Sequence, residues 1–271
     1  MRLATVRTPS GTRAVRVDAT AAVETGDADV GALLRRPDWK AVAAAADGHR
    51  HDVAGLDYAP VVPSPEKVIC VGLNYRQHIL EMGRELPEHP TLFAKFARSL
   101  VGAHDPVELP AGSTQVDWEA ELGIVVGSPV RHADPAAAAA AIAGWTVVND
   151  VTARDFQYRT TQWLQGKAFE RSTPVGPWLV VDEGTPGDVV CEVDGDVVQK
   201  ADTADLVFGP ADLVAYVSRI VTLVPGDLIA TGTPGGVGHA RRPPRYLAAG
   251  SELVTRVAGV GECRNRVVTG S

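Results

Sequence analysis

Residues 116–127 read VDWEAELGIVVG. Leu, Ile and Val crowd together and the run stops at a glycine, which is the composition of a short strand. Side chains alternate along a strand, so Glu119 and Glu121 project from the same face, opposite to Ala120. Two neighbouring carboxylates on an otherwise apolar strand are tolerated in three ways: bathed by water, with one of them protonated, or with a cation held between them. One segment thus supplies a sheet element and the first candidate for chemistry.

Outward from it, VELP (107–110), WTVVND (145–150), PWLVV (177–181), VVCEVDGDVVQ (189–199), GDLIATG (226–232) and ELVTRV (252–257) read as further short strands bounded by Gly, Pro and Asp. Asp194-Gly195 sits between alternating runs and predicts a tight hairpin, because both positions tolerate positive φ. One helix is predicted from Asp134-Pro135 through the alanines to Gly144, and another after Pro210, with Leu213, Val214, Val217, Ile220 and Val221 on one face. Upstream, alternation from residue 3 to residue 17 around Pro9-Ser10-Gly11 predicts a hairpin, followed by a helix carrying Val30, Leu33 and Leu34. The linker 58–67 contains three prolines, which sets a boundary near residue 65. The expected organisation is α+β: a small N-terminal α+β domain over 1–65 and a β-rich domain over 66–271.

The chain has 271 residues, 45% hydrophobic and 22% charged, which suits a folded protein with a sizeable core. A net charge of −7 argues against nucleic acid as a partner, since phosphate binding favours a basic stripe. No apolar run approaches the length of a membrane span and the start lacks a signal-peptide core, so a cytoplasmic protein is expected. Cys70, Cys191 and Cys263 are odd in number and widely spaced, without zinc or disulfide patterning, and are read as core filling.

Asp150 ends the apolar run WTVVND, where the mouth of a strand would bring a third carboxylate to Glu119 and Glu121; a turn or helix cap is the plainer alternative. Three oxygen ligands without His or Cys suit a hard cation, Mg²⁺ or Mn²⁺. His78 and Glu81 stand at i and i+3 in NYRQHILEMG, either a solvated surface pair or an imidazole oriented by a carboxylate. Residues 82–90 mix charge, glycine and proline without periodicity and read as a mobile lid.

Five blocks in this order resemble the fumarylacetoacetate hydrolase family: VGLNYRQHILEMGRELPEHPTLFAKFARSLVG (71–102), VDWEAELGIVVG (116–127), GWTVVNDVTARDFQ (144–157), QGKAFERSTPVGPWLV (165–180) and PGDLIATGTPGGVG (225–238). The resemblance covers residues 65 to 268 and implies a β-rich mixed roll, a homodimer, and a cation held by Glu119, Glu121 and Asp150. It implies a general base in His78 with Glu81, and Lys167 as the site lysine. Arg154, Gln157 and Thr233 match positions near substrate, although Arg154 has the alternative of bracing Asp150 and Asp155, and Thr233 that of a structural glycine turn. Lys95 is similar to a family lysine, but FAKFA departs from the family's run there, so Lys95 is left outside the catalytic set.

A cation with open positions beside Lys167 is suited to the adjacent carboxylate and carbonyl oxygens of a 2-oxo acid, making the neighbouring carbon acidic. With His78 and Glu81 activating water, the expected reaction is C–C hydrolysis of an acylpyruvate or fumarylpyruvate. Oxaloacetate decarboxylation, isomerisation or hydration of an unsaturated 2-oxo diacid, and an inactive metal- or ligand-binding descendant are the alternatives.

Overall fold

In the computed structural model of the chain, residues 1–81, 83–181 and 184–270 are described, and the side chain of Glu81 lies outside that set. The fold is mixed α+β, with 38% of residues in strands against 20% helical, so sheets carry the architecture. Among the described residues the main sheet has eleven strands. Its centre is Ala120–Val126, antiparallel to Ile142–Asn149 on one side and to Leu228–Ala230 on the other. Beyond Leu228–Ala230 lie Val68–Gly72, in parallel, and then Thr91–Lys95. Beyond Ile142–Asn149 lies Thr173–Val181, to which the N-terminal strand Arg2–Thr8 adds itself, so the strands of the first fifty residues continue the same sheet. A second sheet orders Asp196–Asp202, Asp188–Val193, Glu252–Val257, Gly261–Thr269 and Val107–Leu109.

Every residue of Ala120–Val126 is buried. Leu122, Ile124 and Val126 enter one apolar cluster and Val125 the other. A strand covered on both faces reads as a continuous apolar run, which explains its composition. The Asp194-Gly195 hairpin forms as expected, with φ of 55° and 86° at its two corners. Cys70, Cys191 and Cys263 are free and buried, as expected of core filling, and burial raises all three thiols.

Two helices differ from expectation. The alanine helix spans only Pro135–Ala140, and Gly144 lies inside the strand Ile142–Asn149. A Cβ at Gly144 would fall 1.9 Å from the Val180 carbonyl oxygen, so this glycine serves a close strand–strand approach and not a helix stop. The helix Pro210–Ile220 buries Leu213, Val214 and Val217, but Ile220 is 60% exposed and Val221 lies beyond the last turn. Periodicity puts these two on the same face as Leu213, Val214 and Val217, but they lie at and beyond the last turn, where the face is exposed.

Candidate active site

Strand register brings the carboxylates together. Ala120 pairs with Asn149, and the Asp150 amide donates to the Glu119 carbonyl at 2.8 Å, so Glu119 and Asp150 leave adjacent strands side by side. The Asn149 side chain accepts from the Glu119 amide at 3.0 Å, closing the same junction. Glu121 lies one step further along. One ligand oxygen from each of Glu119, Glu121 and Asp150 falls within 4.8 Å of the others, and all three residues are buried.

Their surroundings are unequal. Lys167 ends the short helix Leu164–Lys167 and donates to Glu119 Oε2 at 2.6 Å and to Asp150 Oδ2 at 2.8 Å. Its ammonium also lies 4.8 Å from the Phe93 ring centre. Lys95 donates to Asp150 Oδ1 at 2.6 Å and to the Val151 carbonyl at 3.1 Å. Arg154 meets Glu119 Oε1 at 2.7 Å. Glu121 accepts only the Gly232 amide, at 2.8 Å, and has no cationic partner among the described residues. Gly232 offers that amide at φ 103°, a backbone conformation that favours glycine.

The titration directions follow this asymmetry. Burial, then the Asp150 and Glu119 charges, push the Glu121 carboxyl well above its ordinary value. Burial alone would raise Asp150, but Lys167 and Lys95 outweigh it and hold that carboxyl below its ordinary value. Burial alone would lower Lys167, but Asp150 and Glu119 hold it above its ordinary value, so it is an ammonium and not a base.

The site opens into a cavity of about 280 Å³ lined by, among others, His78, Glu119, Arg154, Gln157, Lys167 and Thr233. Glu121 and Asp150 sit behind that lining, both fully enclosed. The Glu81 side chain and Met82, at the start of the expected lid, lie outside the described residues. Arg154 braces residues other than those expected: its Nε donates to Asp117 at 2.8 Å and its Nη1 to Gln157 Oε1 at 2.9 Å. Asp155 instead accepts from Ser113 and Thr114. With its oxygen on the guanidinium, Gln157 keeps an NH₂ group for other acceptors. The Thr233 hydroxyl donates to the Ala120 carbonyl at 2.9 Å and accepts from Gln199 at 2.8 Å, so the backbone amide is the donor this residue has left to offer.

Sequence reasoning left out Lys95 and Asp117. Lys95 closes the edge strand Thr91–Lys95 with its ammonium fully buried on Asp150, and the signal was a lone lysine between apolar neighbours. Asp117, just before Trp118 and Glu119, takes the Gly238 amide at 2.7 Å, the His239 amide at 3.0 Å and Arg154. Nothing in its local spacing distinguishes it from a strand-end aspartate.

A buried carboxylate triad threaded by lysines thus lies at and behind the lining of a cavity in a β-rich fold. Residues 67–268 match the fumarylacetoacetate (FAA) hydrolase C-terminal family, and the chain belongs to that enzyme family. It is 45% identical over 216 residues to the human mitochondrial oxaloacetate tautomerase FAHD2A, covering 78% of this chain and 68% of that protein. The Xenopus laevis mitochondrial oxaloacetate tautomerase fahd2 is 40% identical over 232 residues, covering 83% of this chain and 73% of its own length. The fumarylacetoacetate hydrolase of Exiguobacterium antarcticum superposes with a TM-score of 0.89 at 31% identity, covering all of both chains. A 5-carboxymethyl-2-hydroxymuconate delta-isomerase from Mycobacterium smegmatis superposes with a TM-score of 0.84 at 31% identity, again over the full length of both. No helix among the described residues is long and apolar enough to cross a membrane.

Proposed function

We propose that the protein interconverts the keto and enol forms of a small 2-oxo acid of the oxaloacetate type, with Mg²⁺ or Mn²⁺ held by Glu119, Glu121 and Asp150. The observation that carries the reading is Glu121: a carboxylate 1% exposed, beside two others, that accepts the Gly232 amide and has no ion-pair partner among the described residues. Buried anions without partners are costly, and a hard cation is the group that oxygen ligands of this kind accept. Such a cation would supply positive charge to the carboxylate and 2-oxo oxygens of a substrate.

The chain's own residues then divide the remaining work. Lys167, kept charged by its two carboxylates, hydrogen-bonds the 2-oxo oxygen as negative charge develops there. His78 lines the cavity and moves the proton: it removes one from the carbon beside the carbonyl, and the enol oxygen gains one. Gln157, through its NH₂ group, and Thr233, through its backbone amide, orient the substrate carboxylate. Arg154 holds Glu119 and Gln157 in place. Similarity to the human and Xenopus laevis oxaloacetate tautomerases supports oxaloacetate as the first substrate to try.

C–C hydrolysis of an acylpyruvate or fumarylpyruvate is the second reading, favoured by His78 in the cavity and by the His78–Glu81 spacing, which suits water activation. We further propose a cytoplasmic homodimer, for which three unpaired buried cysteines suit a reducing compartment. The division at residue 65 is likewise proposed, supported by the proline-rich linker and by a family match beginning at residue 67. Following the oxaloacetate enol by ultraviolet absorbance and products by NMR, with Mg²⁺ and after chelation, tests the function. Metal-dependent interconversion without pyruvate release is the expected result. Pyruvate plus a carboxylic acid from an acylpyruvate would move the assignment to the second reading, and inertness toward both would remove it.

A further inference from the structure

The cavity is also lined by two groups that take no part in holding the triad, Arg84 and His239. His239 sits in the turn Gly238–Ala240, which Asp117 grips through both backbone amides. A Cβ at Gly238 would lie 1.9 Å from the Arg245 carbonyl oxygen, so only glycine admits this close passage. Asp117 in turn holds Arg154, and Arg154 holds Glu119, so the His239 backbone is fixed relative to the carboxylates through one buried network.

The ring of His239 is fixed as well. Its Nδ1 lies 2.9 Å from the Tyr246 hydroxyl, and its face tilts over Tyr158 with centroids 5.3 Å apart. Burial, then the Asp117 charge, push the Tyr246 hydroxyl above its ordinary value, so it remains a phenol able to donate. At this distance the Tyr246 hydroxyl can donate to Nδ1, and in the tautomer that accepts it the ring N–H is Nε2, the one polar atom the imidazole has left. Arg84 contributes charge: its guanidinium has no ion-pair partner among the described residues, whereas Lys167 and Arg154 are both committed to carboxylates.

We infer that Arg84 and His239 form the receptor for a second carboxylate, and that they select 2-oxo dicarboxylates over monocarboxylates. This assignment rests on the 2-oxo acid reading above and adds the residues that decide specificity. A guanidinium and an imidazole N–H together match the two oxygens of a distal carboxylate. A substrate lacking that group would leave both donors unpaired in the complex.

Malate and lactate isolate the effect, because malate is lactate with a carboxylate in place of one methyl hydrogen. The protein supplemented with Mg²⁺ is titrated with each by calorimetry. The wild type should prefer malate by about tenfold, the scale of one charge-assisted hydrogen bond. His239→Phe, which keeps the ring's bulk, should lower the ratio by about threefold, leaving the Arg84 share, and His239→Gln, which keeps an N–H donor, should lower it less. Arg84→Gln should also lower the ratio, and Tyr246→Phe should lower it by about threefold, which serves as the test should His239→Phe not fold. An unchanged ratio in folded His239→Phe and Tyr246→Phe overturns the inference. Equal wild-type affinity for the two acids, or binding of neither, overturns it, while turnover of oxaloacetate decides the 2-oxo acid reading separately.

Discussion

Asp150 and Glu121 belong to the same triad and lie on opposite sides of an electrostatic divide. Asp150 is enclosed by two lysine ammonium groups, at 2.6 and 2.8 Å, and is held ionised. Glu121, equally buried, has one backbone amide and two neighbouring anions, and the Lys167 charge weighs less on it than either anion. The protein neutralises its own charge at one end of the site and leaves the other end without an ion pair among the described residues. Asp150 is therefore already organised without a ligand, whereas Glu121 is tolerated at a cost that a cation would relieve.

The two residues should accordingly respond in opposite directions to loss of charge. Asp150→Asn and Glu121→Gln should each reduce turnover by on the order of 10³-fold, because each removes an anionic ligand from the proposed cation site. In chelator-treated protein their stabilities should diverge. Asp150→Asn leaves Lys95 facing a neutral amide and weakens the hold on Lys167, and should destabilise by about 3–5 kcal/mol. Glu121→Gln removes a buried carboxyl whose ionised form burial and the neighbouring anions disfavour, and should stabilise by about 1 kcal/mol. Urea unfolding measures both, and shifts of the same sign would dissolve the contrast between the two residues.

Adding the cation should erase part of that contrast. At a hundredfold excess over its dissociation constant, Mg²⁺ or Mn²⁺ should stabilise the wild type by about 2.7 kcal/mol, a rise in Tm of about 5–10 °C for a chain of this size. Glu121→Gln should show little of this rise, and thermal scans with and without metal report it. Lys95→Met probes the paired end: by removing a support of Asp150 without touching the cavity, it should lower metal affinity or activity by about 10–100-fold. Wild-type metal titration and kinetics in that variant would make Lys95 a packing residue only. The smallest effect is expected at Thr233→Ser, where the hydroxyl still reaches the Ala120 carbonyl and the backbone amide is unchanged. Activity within about twofold of wild type there would place any contribution of Thr233 in its backbone amide.

Much of the sheet was legible because its strands are short, β-branched and punctuated. The Asp194-Gly195 hairpin and the strands around residues 120 and 145 needed only local rules. The alanine helix was overextended because Ala is favourable in a helix wherever it sits, and the strand that claims Gly144 is decided by its neighbour Val180. Ile220 is exposed although it shares the apolar face, because periodicity describes a helix face without stating where its cover ends. Arg154 was placed near the site, but its partners Asp117 and Glu119 lie 37 and 35 residues away in sequence, and spacing carries no information over such separations.

By itself the sequence determined the β-rich class, the family, and the residue types available for chemistry, because period, turn composition and ordered motif blocks are properties of neighbouring residues. Only the tertiary structure decided which carboxylate is paired and which is not, that Lys95 reaches Asp150, and that Asp117 ties the His239 turn to Glu119. Those facts depend on strand register and on side chains meeting across the sheet. In a buried site, the charge opposite a carboxylate sets its protonation and its need for a cation, and that opposite charge comes from elsewhere in the chain.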